Sequence, residues 1–236
     1  MEMTLIHGQA HKGSGWHITR SIAEALDDGK ATIHEFSLPV DADKFCIGCY
    51  NCILKGCEYC PHRDKIQPIV KAMESSDVII IDSPTYCFEM SGALKSLFDH
   101  LGFMWLSHRP NKAMFNKVGI VVSTAAGAGA KGVTRSMAKQ LFWLGVPKVY
   151  RLNMNVNAAK WEDVTEKVRG EISEKTSALS KKAERSVKKV KPGLKQRLLF
   201  NIMARMQKGN TWNPVDRNHW ENMGWLDKAK PWNASR

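Results

Sequence analysis

Residues 77–82 hold the feature that most limits the fold, the run Val78-Ile79-Ile80-Ile81 between Asp77 and Asp82. A strand with one wet face alternates apolar and polar residues, and this run does not. It needs cover on both faces, as in a parallel sheet sandwiched by helices. The rest of the chain can supply that cover. Short apolar segments at residues 3–7, 31–36, 117–123 and 149–154 read as further strands. Between them lie helical stripes: Ile18, Ile22, Ala23 and Leu26; Ile66, Ile69, Val70 and Met73; residues 92–101; and residues 133–144. Five strands alternating with four helices predict a doubly wound α/β sheet.

A long fifth helix follows, with Trp161, Val164, Val168, Ile172, Leu179, Ala183 and Val187 at three- or four-residue spacing. Pro192-Gly193 stops it. A further helix is expected to gather Leu194, Leu198, Leu199, Ile202, Met203 and Met206 on one apolar face. From Gly209 the chain reads as a loop-like tail with Trp212, Trp220, Trp225 and Trp232, whose buried indoles would clamp it to the core or to a partner. This divides the chain into a domain of residues 1–190 and a helical, Trp-rich extension of residues 191–236.

With 236 residues the chain can bury roughly 70% of its unfolded surface and needs no disulfides. No apolar stretch reaches the roughly 18–20 residues of a membrane span. The chain enters its first strand without the basic and apolar regions of a secretory leader, so a cytoplasmic location is expected.

Charge is uneven. Lys and Arg number 35 against 23 Asp and Glu. Residues 181–208 carry ten of the cations (Lys181, Lys182, Arg185, Lys188, Lys189, Lys191, Lys195, Arg197, Arg205, Lys208) and one acid, Glu184. A solvated helix face is the favoured reading of this run. Contact with an anionic membrane surface is a lesser alternative, suggested by the amphipathic residues 194–206, whose apolar face could instead pack against a second subunit. Nucleic acid is not expected, because only Phe200 interrupts the basic run and stacking platforms need aromatics.

In a parallel sheet ligands bind beyond the carboxyl ends of the strands. Three loops there are unusual. The first, Gly8-Gln9-Ala10-His11-Lys12-Gly13-Ser14-Gly15, opens a helix and suits an anion such as phosphate. It lacks both the P-loop and the G-x-G-x-x-G pattern, and an ordinary strand-to-helix turn is its alternative. The second is Ser83-Pro84-Thr85-Tyr86-Cys87-Phe88-Glu89-Met90-Ser91-Gly92, and the third is the small-residue segment 123–130. Small residues let a planar ring lie against the backbone. Cys87 reads best as a small apolar packing residue, and His17 and His100 as surface or capping residues. His11 reads equally as a phosphate contact or a solvated side chain.

Together these loops resemble the flavodoxin-like NAD(P)H-dependent FMN reductase superfamily over residues 3–155. The resemblance rests on the strand–Gly8 loop, the Ser83-Pro84-Thr85-Tyr86 turn, and Met90-Ser91-Gly92-Ala93-Leu94-Lys95 followed by Phe98-Asp99. His100 stands where the family commonly has Arg, and Gln9-Ala10-His11 and Trp16 depart from its usual first loop. The resemblance implies a five-stranded sheet in the order 2-1-3-4-5, bound FMN, NAD(P)H as co-substrate and a homo-oligomer. It assigns Gln9, His11, Ser14 and Gly15 to the flavin phosphate, with Gly8 and Trp16 as further cofactor contacts. Pro84, Thr85, Tyr86, Cys87 and Phe88 go to the ring, and Ser123, Thr124, Ala125 and Gly127 to its polar edge.

Five of the six cysteines, Cys46, Cys49, Cys52, Cys57 and Cys60, fall within fifteen residues, on a segment that reads as a loop. In a cytosolic chain such a cluster points to metal or redox chemistry. Thiolates at this spacing suit a [4Fe–4S] cluster, with zinc and plain thiols or a labile disulfide as alternatives. The pattern looks like that of the iron–sulfur flavoprotein branch. Cys57 and Cys60 both compete for the fourth position, and the resemblance favours Cys60 because Asp64 follows it.

The expected function is an FMN-dependent oxidoreductase that takes hydride from NAD(P)H and passes electrons to a small-molecule or protein acceptor, directly or through a cluster. One alternative is a flavin–cluster relay fed by a ferredoxin-like protein. Another is a non-enzymatic, zinc-stabilised module that binds an anionic surface.

Overall fold

A computed structural model describes residues 1–187 and 189–233. Lys188, part of the basic run, lies outside the described residues. Strands β1 (Glu2–His7), β2 (Thr32–Ser37), β3 (Val78–Pro84), β4 (Val118–Ala125) and β5 (Lys148–Asn155) form one parallel sheet in the order β2-β1-β3-β4-β5. The central strands β3 and β4 are buried almost throughout, which explains their unbroken apolar runs. The edge strands β2 and β5 are partly wet.

Helices α1 (Ser14–Leu26), α2 (Asn51–Leu54), α3 (Arg63–Ser75), α4 (Gly92–His100), α5 (Ala130–Trp143), α6 (Glu166–Val187), α7 (Leu194–Lys208) and α8 (Pro214–Asn222) complete the chain. One sheet face packs on α1 and α6 through Ile18, Ile22, Ile172 and Ala183. The other packs on α3, α4 and α5 through Ile69, Met73, Leu97 and Leu141. A third, separate core joins Leu106 and Phe115 to Phe200, Ala204, Trp220 and Trp225.

Three expectations change. The long helix starts at Glu166, and Trp161 lies ahead of it, stacked on His17 at 4.5 Å between ring centres. His17 is therefore a packing partner as much as a surface residue. The cysteine segment is not all loop, because Cys52 sits on α2. The tail contains α8, capped by the Asn213 side chain, which accepts from the N–H groups of Val215 and Asp216. Trp220 and Trp225 are buried as expected, whereas Trp212 is exposed. The apolar face expected of α7 lies largely outward: Leu194, Leu198, Ile202 and Met206 are exposed, while Phe200 and Ala204 face the core.

Candidate active site and cysteine pocket

The strand order reverses between β1 and β3, so the loops leaving them diverge and open a crevice. A cavity of about 270 Å³ lies there. Its walls are Gln9, His11, Gly13 and Ser14; Pro84, Thr85 and Tyr86; Thr124, Ala125 and Ala126; and Val156, Ala158 and Ala159. The floor is the N-terminus of α1. Gly13 offers no side-chain cap, and the first turn carries no acid, so the helix's free N–H groups and positive dipole end are left for an anion. Gln9 and His11 fold over this end: a Cβ on Gly13 would lie 2.7 Å from Gln9 Nε2 and 3.3 Å from His11 Nε2. Lys12 lies next along the loop, its Nζ 4.9 Å from the centre of the Trp16 ring.

The other expected flavin residues shape the crevice from outside its lining. The N–H of Gly8 donates to the Asp82 carbonyl at 2.8 Å, and a Cβ on Gly8 would lie 2.8 Å from that oxygen. Gly15 packs on the Asp82 side chain, where a Cβ would come within 2.9 Å of Oδ1. Trp16 Nε1 donates to Glu35 at 3.1 Å. Ser123 is buried and shares a hydrogen bond with Thr85 at 3.1 Å. Gly127 is not part of the lining. Tyr86 and Glu89 exchange two backbone hydrogen bonds of 2.9 Å around Cys87 and Phe88. Both central residues are left-handed, at φ 50° and 65°. That conformation is normally given to Asn-Gly, so the turn stores about 1 kcal/mol or more per residue. Cys87 is exposed there and is not the buried packing residue expected.

Beneath the loop is a charged network the sequence reading missed. His7, fully buried at the end of β1, is bracketed by Asp82 through Nδ1 and by Glu35 through Nε2 at 2.9 Å. Arg20 pairs with the same Glu35 at 3.2 Å. Burial pushes the His7 pKa down, but the hydrogen bonds and charges of Asp82 and Glu35 outweigh it, so the net shift is upward. No local motif announces this site. Its only signal is that the β1–β3 pairing sets His7 opposite Asp82.

The second site is the cysteine segment. Cys46, Cys49, Cys52 and Cys60 line one small cavity with His62 and His100, while Cys57 is outside it. Gln67 donates to the Cys57 sulfur instead, at 3.5 Å. Burial raises the pKa of Cys52, and the neighbouring Cys60, Cys46 and Cys49 raise it further. Burial likewise raises the pKa of Cys60. Among the described residues, no three His, Cys, Asp or Glu side chains are set as a metal site. The four thiols face one pocket without yet converging. As a donor set, four thiols on one cavity fit a tetrathiolate group. His100, expected at the surface, is buried: its Nδ1 donates to the Ser96 carbonyl at 2.9 Å, and its Nε2 lies 3.0 Å from His62 Nδ1.

Two elements hold this segment. Helix α4 is common to both sites. Ser91, its cap, accepts from the Leu94 N–H, donates its own N–H to Ser83 Oγ, and donates its hydroxyl to the Gly8 carbonyl. Ser96, five residues on, accepts the Cys46 N–H at 3.1 Å. At about 1.5 Å per residue these anchors stand roughly 7–8 Å apart along the helix. From the tail, Asp216 pairs with Arg109 and, at 2.7 Å, with His108. Arg109 donates to the carbonyls of Cys52 and Ile53, and Asn213 donates to Ile53 at 3.1 Å. The extension thus pins α2.

Fold and crevice define a flavodoxin-like α/β protein with a built anion cradle. Residues 1–160 match the NADPH-dependent FMN reductase family, and the chain belongs to it. It is similar to an iron–sulfur flavoprotein of Archaeoglobus fulgidus, 31% identical over 85 residues, covering 36% of each chain. It is also similar to an iron–sulfur flavoprotein of Clostridioides difficile, 28% identical over 140 residues, covering 57% of this chain and 59% of that one. These matches thus span between about a third and three fifths of the relatives' lengths. Among solved structures, an azoreductase of Bacillus anthracis superposes with a TM-score of 0.61 at 10% identity, over 77% of this chain and 99% of that one. An NADH:FMN oxidoreductase in its apo form gives 0.56 at 16%, over 84% and 98%. At such identities the superpositions establish the fold.

Proposed function

We propose that the chain is an FMN-dependent oxidoreductase using NAD(P)H, with a thiolate-bound [4Fe–4S] cluster beside the flavin. The observation that carries the flavin reading is the crevice itself, an uncapped helix terminus facing a cavity walled by small residues. FMN, when bound, would accept hydride from NAD(P)H and hand electrons onward. The first turn of α1, with Gln9, His11 and Ser14, would hold the phosphate. Pro84, Thr85 and Tyr86 would wall the ring, and Thr124 and Ala125 would offer backbone to its polar edge. Gly8, Gly15 and Ser123 keep the loops close to Asp82 and Thr85, while Trp16 positions the cradle through Glu35. Cys87 and Phe88 form the outer turn.

Cys46, Cys49, Cys52 and Cys60 would hold the cluster, and Cys57 would not. The iron–sulfur relatives support this reading, as does the shared cavity. Electron passage between the two sites is supported by α4, which anchors both within two turns; with a protein as donor the chain would be a relay. Two assays test the proposal. Protein purified without oxygen is assayed for flavin, iron and acid-labile sulfide, with about four iron and four sulfide per chain expected for this cluster type. NAD(P)H oxidation is then followed. Flavin with rapid turnover supports the reductase, flavin reduced only by a protein donor supports the relay, and failure of saturating FMN to bind sinks both.

A further inference from the structure

Helix α7 places its more apolar row in water. Leu194, Leu198, Ile202 and Met206, spaced four apart and therefore in one line, are 85, 59, 46 and 62% exposed. The helix is not misaligned. Its inward face is fixed by Phe200 and Ala204 in the tail core and by two buried glutamines. Gln196 Nε2 donates to the Phe142 carbonyl at 3.2 Å, and Gln207 Nε2 donates to the Ser107 carbonyl at 2.7 Å. The outward row is thus a consequence of specific inward contacts.

Charge says what covers it. Residues 185–215 contain eight Lys or Arg and no Asp or Glu. On α7, Lys195 and Arg205 each sit three residues from a member of the row and are exposed, as are Arg197 and Lys208. A second copy of this chain is a poor occupant, because a two-fold contact would set the cations of one row against those of the other, Lys195 facing Arg205. A nucleic acid would use the cations but find no exposed aromatic ring in the row to stack on, and it gains nothing from four aliphatic side chains. A surface that is negative outside and apolar just below uses both features.

We propose that α7 is an interfacial helix that seats the protein on an anionic lipid bilayer. The Leu194–Leu198–Ile202–Met206 row enters the boundary between headgroups and acyl chains, and the flanking Lys and Arg meet lipid phosphates. The inference is independent of what the crevice and the cysteine pocket hold.

The test is co-sedimentation of the full-length protein with vesicles of phosphatidylcholine mixed with phosphatidylglycerol, compared with phosphatidylcholine alone. Binding to the mixed vesicles, weakened by salt, is expected. Two double variants separate the contributions while leaving the inward face intact, and unchanged thermal melting checks that they fold. Arg205→Gln with Lys208→Gln should weaken binding about 30-fold, at about one kcal/mol per cation. Leu198→Gln with Ile202→Gln should weaken it at least about tenfold. Equal binding by the wild type and the aliphatic variant would overturn the proposal, as would no binding to mixed vesicles. A dimer in sedimentation velocity that only the aliphatic variant abolishes, with vesicles ignored, would reassign the row to self-association. Retention on duplex DNA that only the charge variant loses, again with vesicles ignored, would reassign the cations to nucleic acid.

Discussion

The crevice and the cysteine pocket lie at two anchors of one helix, yet they are built differently. The crevice is made by backbone that the sheet dictates: the ends of β1, β3 and β4 and the start of α1. Its glycines are held against Asp82 at distances where a single Cβ would collide. The cysteine pocket is made by side chains on a segment with no sheet partner, tied to the protein by Ser96, Arg109 and Asn213. A parallel sheet gives a rigid cradle without any ligand. A cluster of thiols repels itself as it ionises, and the proposed cluster would draw it together. In that reading one site is preformed and the other is poised.

Breaking the tail clamp should show the largest effect. Asp216→Ala leaves Arg109 and His108 without their buried partner and should cost about 3 kcal/mol in chemical denaturation. Any iron content should fall with it, while FMN affinity stays within about threefold. Equal loss at both sites would mean that the two are not separately built. Next comes the cradle. Gly8→Ala puts a methyl group against the Asp82 carbonyl, so the loop must shift. About tenfold weaker FMN binding is expected by fluorescence quenching, at a stability cost of about 1–3 kcal/mol. Among the thiols, Cys60→Ala should lose iron and sulfide, whereas Cys57→Ala should keep both. The reverse result would move the fourth ligand to Cys57.

The smallest effect is pH-dependent. A His whose folded pKa is raised adds stability that is complete below its unfolded value, near 6.5, and is lost as pH rises through the folded value. The groups facing His7 are Asp82 and Glu35, with Arg20 on the latter. The melting temperature of the wild type should therefore decline above about pH 6.5 more steeply than that of His7→Gln. Parallel curves would mean that the folded protein does not raise the His7 pKa.

The sheet was legible because burial writes itself locally: Val78-Ile79-Ile80-Ile81 has no alternation, and its neighbours carry helical stripes. The crevice loops were legible because glycine and short polar residues follow the strands. His7 and Asp82 were not, since 75 residues separate partners that meet only through strand pairing. Which side of α7 meets the core was not legible, because apolar spacing shows that a stripe exists, not which side the core takes. Here Phe200 and two glutamines took the inside. The α8 clamp was hidden because the tail reads as a loop and Arg109 reaches Asp216 from another part of the chain.

The most direct measurement is an FMN titration of protein stripped of metal by a chelator, repeated after reconstitution with iron and sulfide. The account predicts one FMN per chain in both samples, with affinities within about threefold. If the stripped protein bound no FMN and reconstitution restored binding, the crevice would depend on the cysteine pocket, and the distinction between a preformed and a poised site would be wrong.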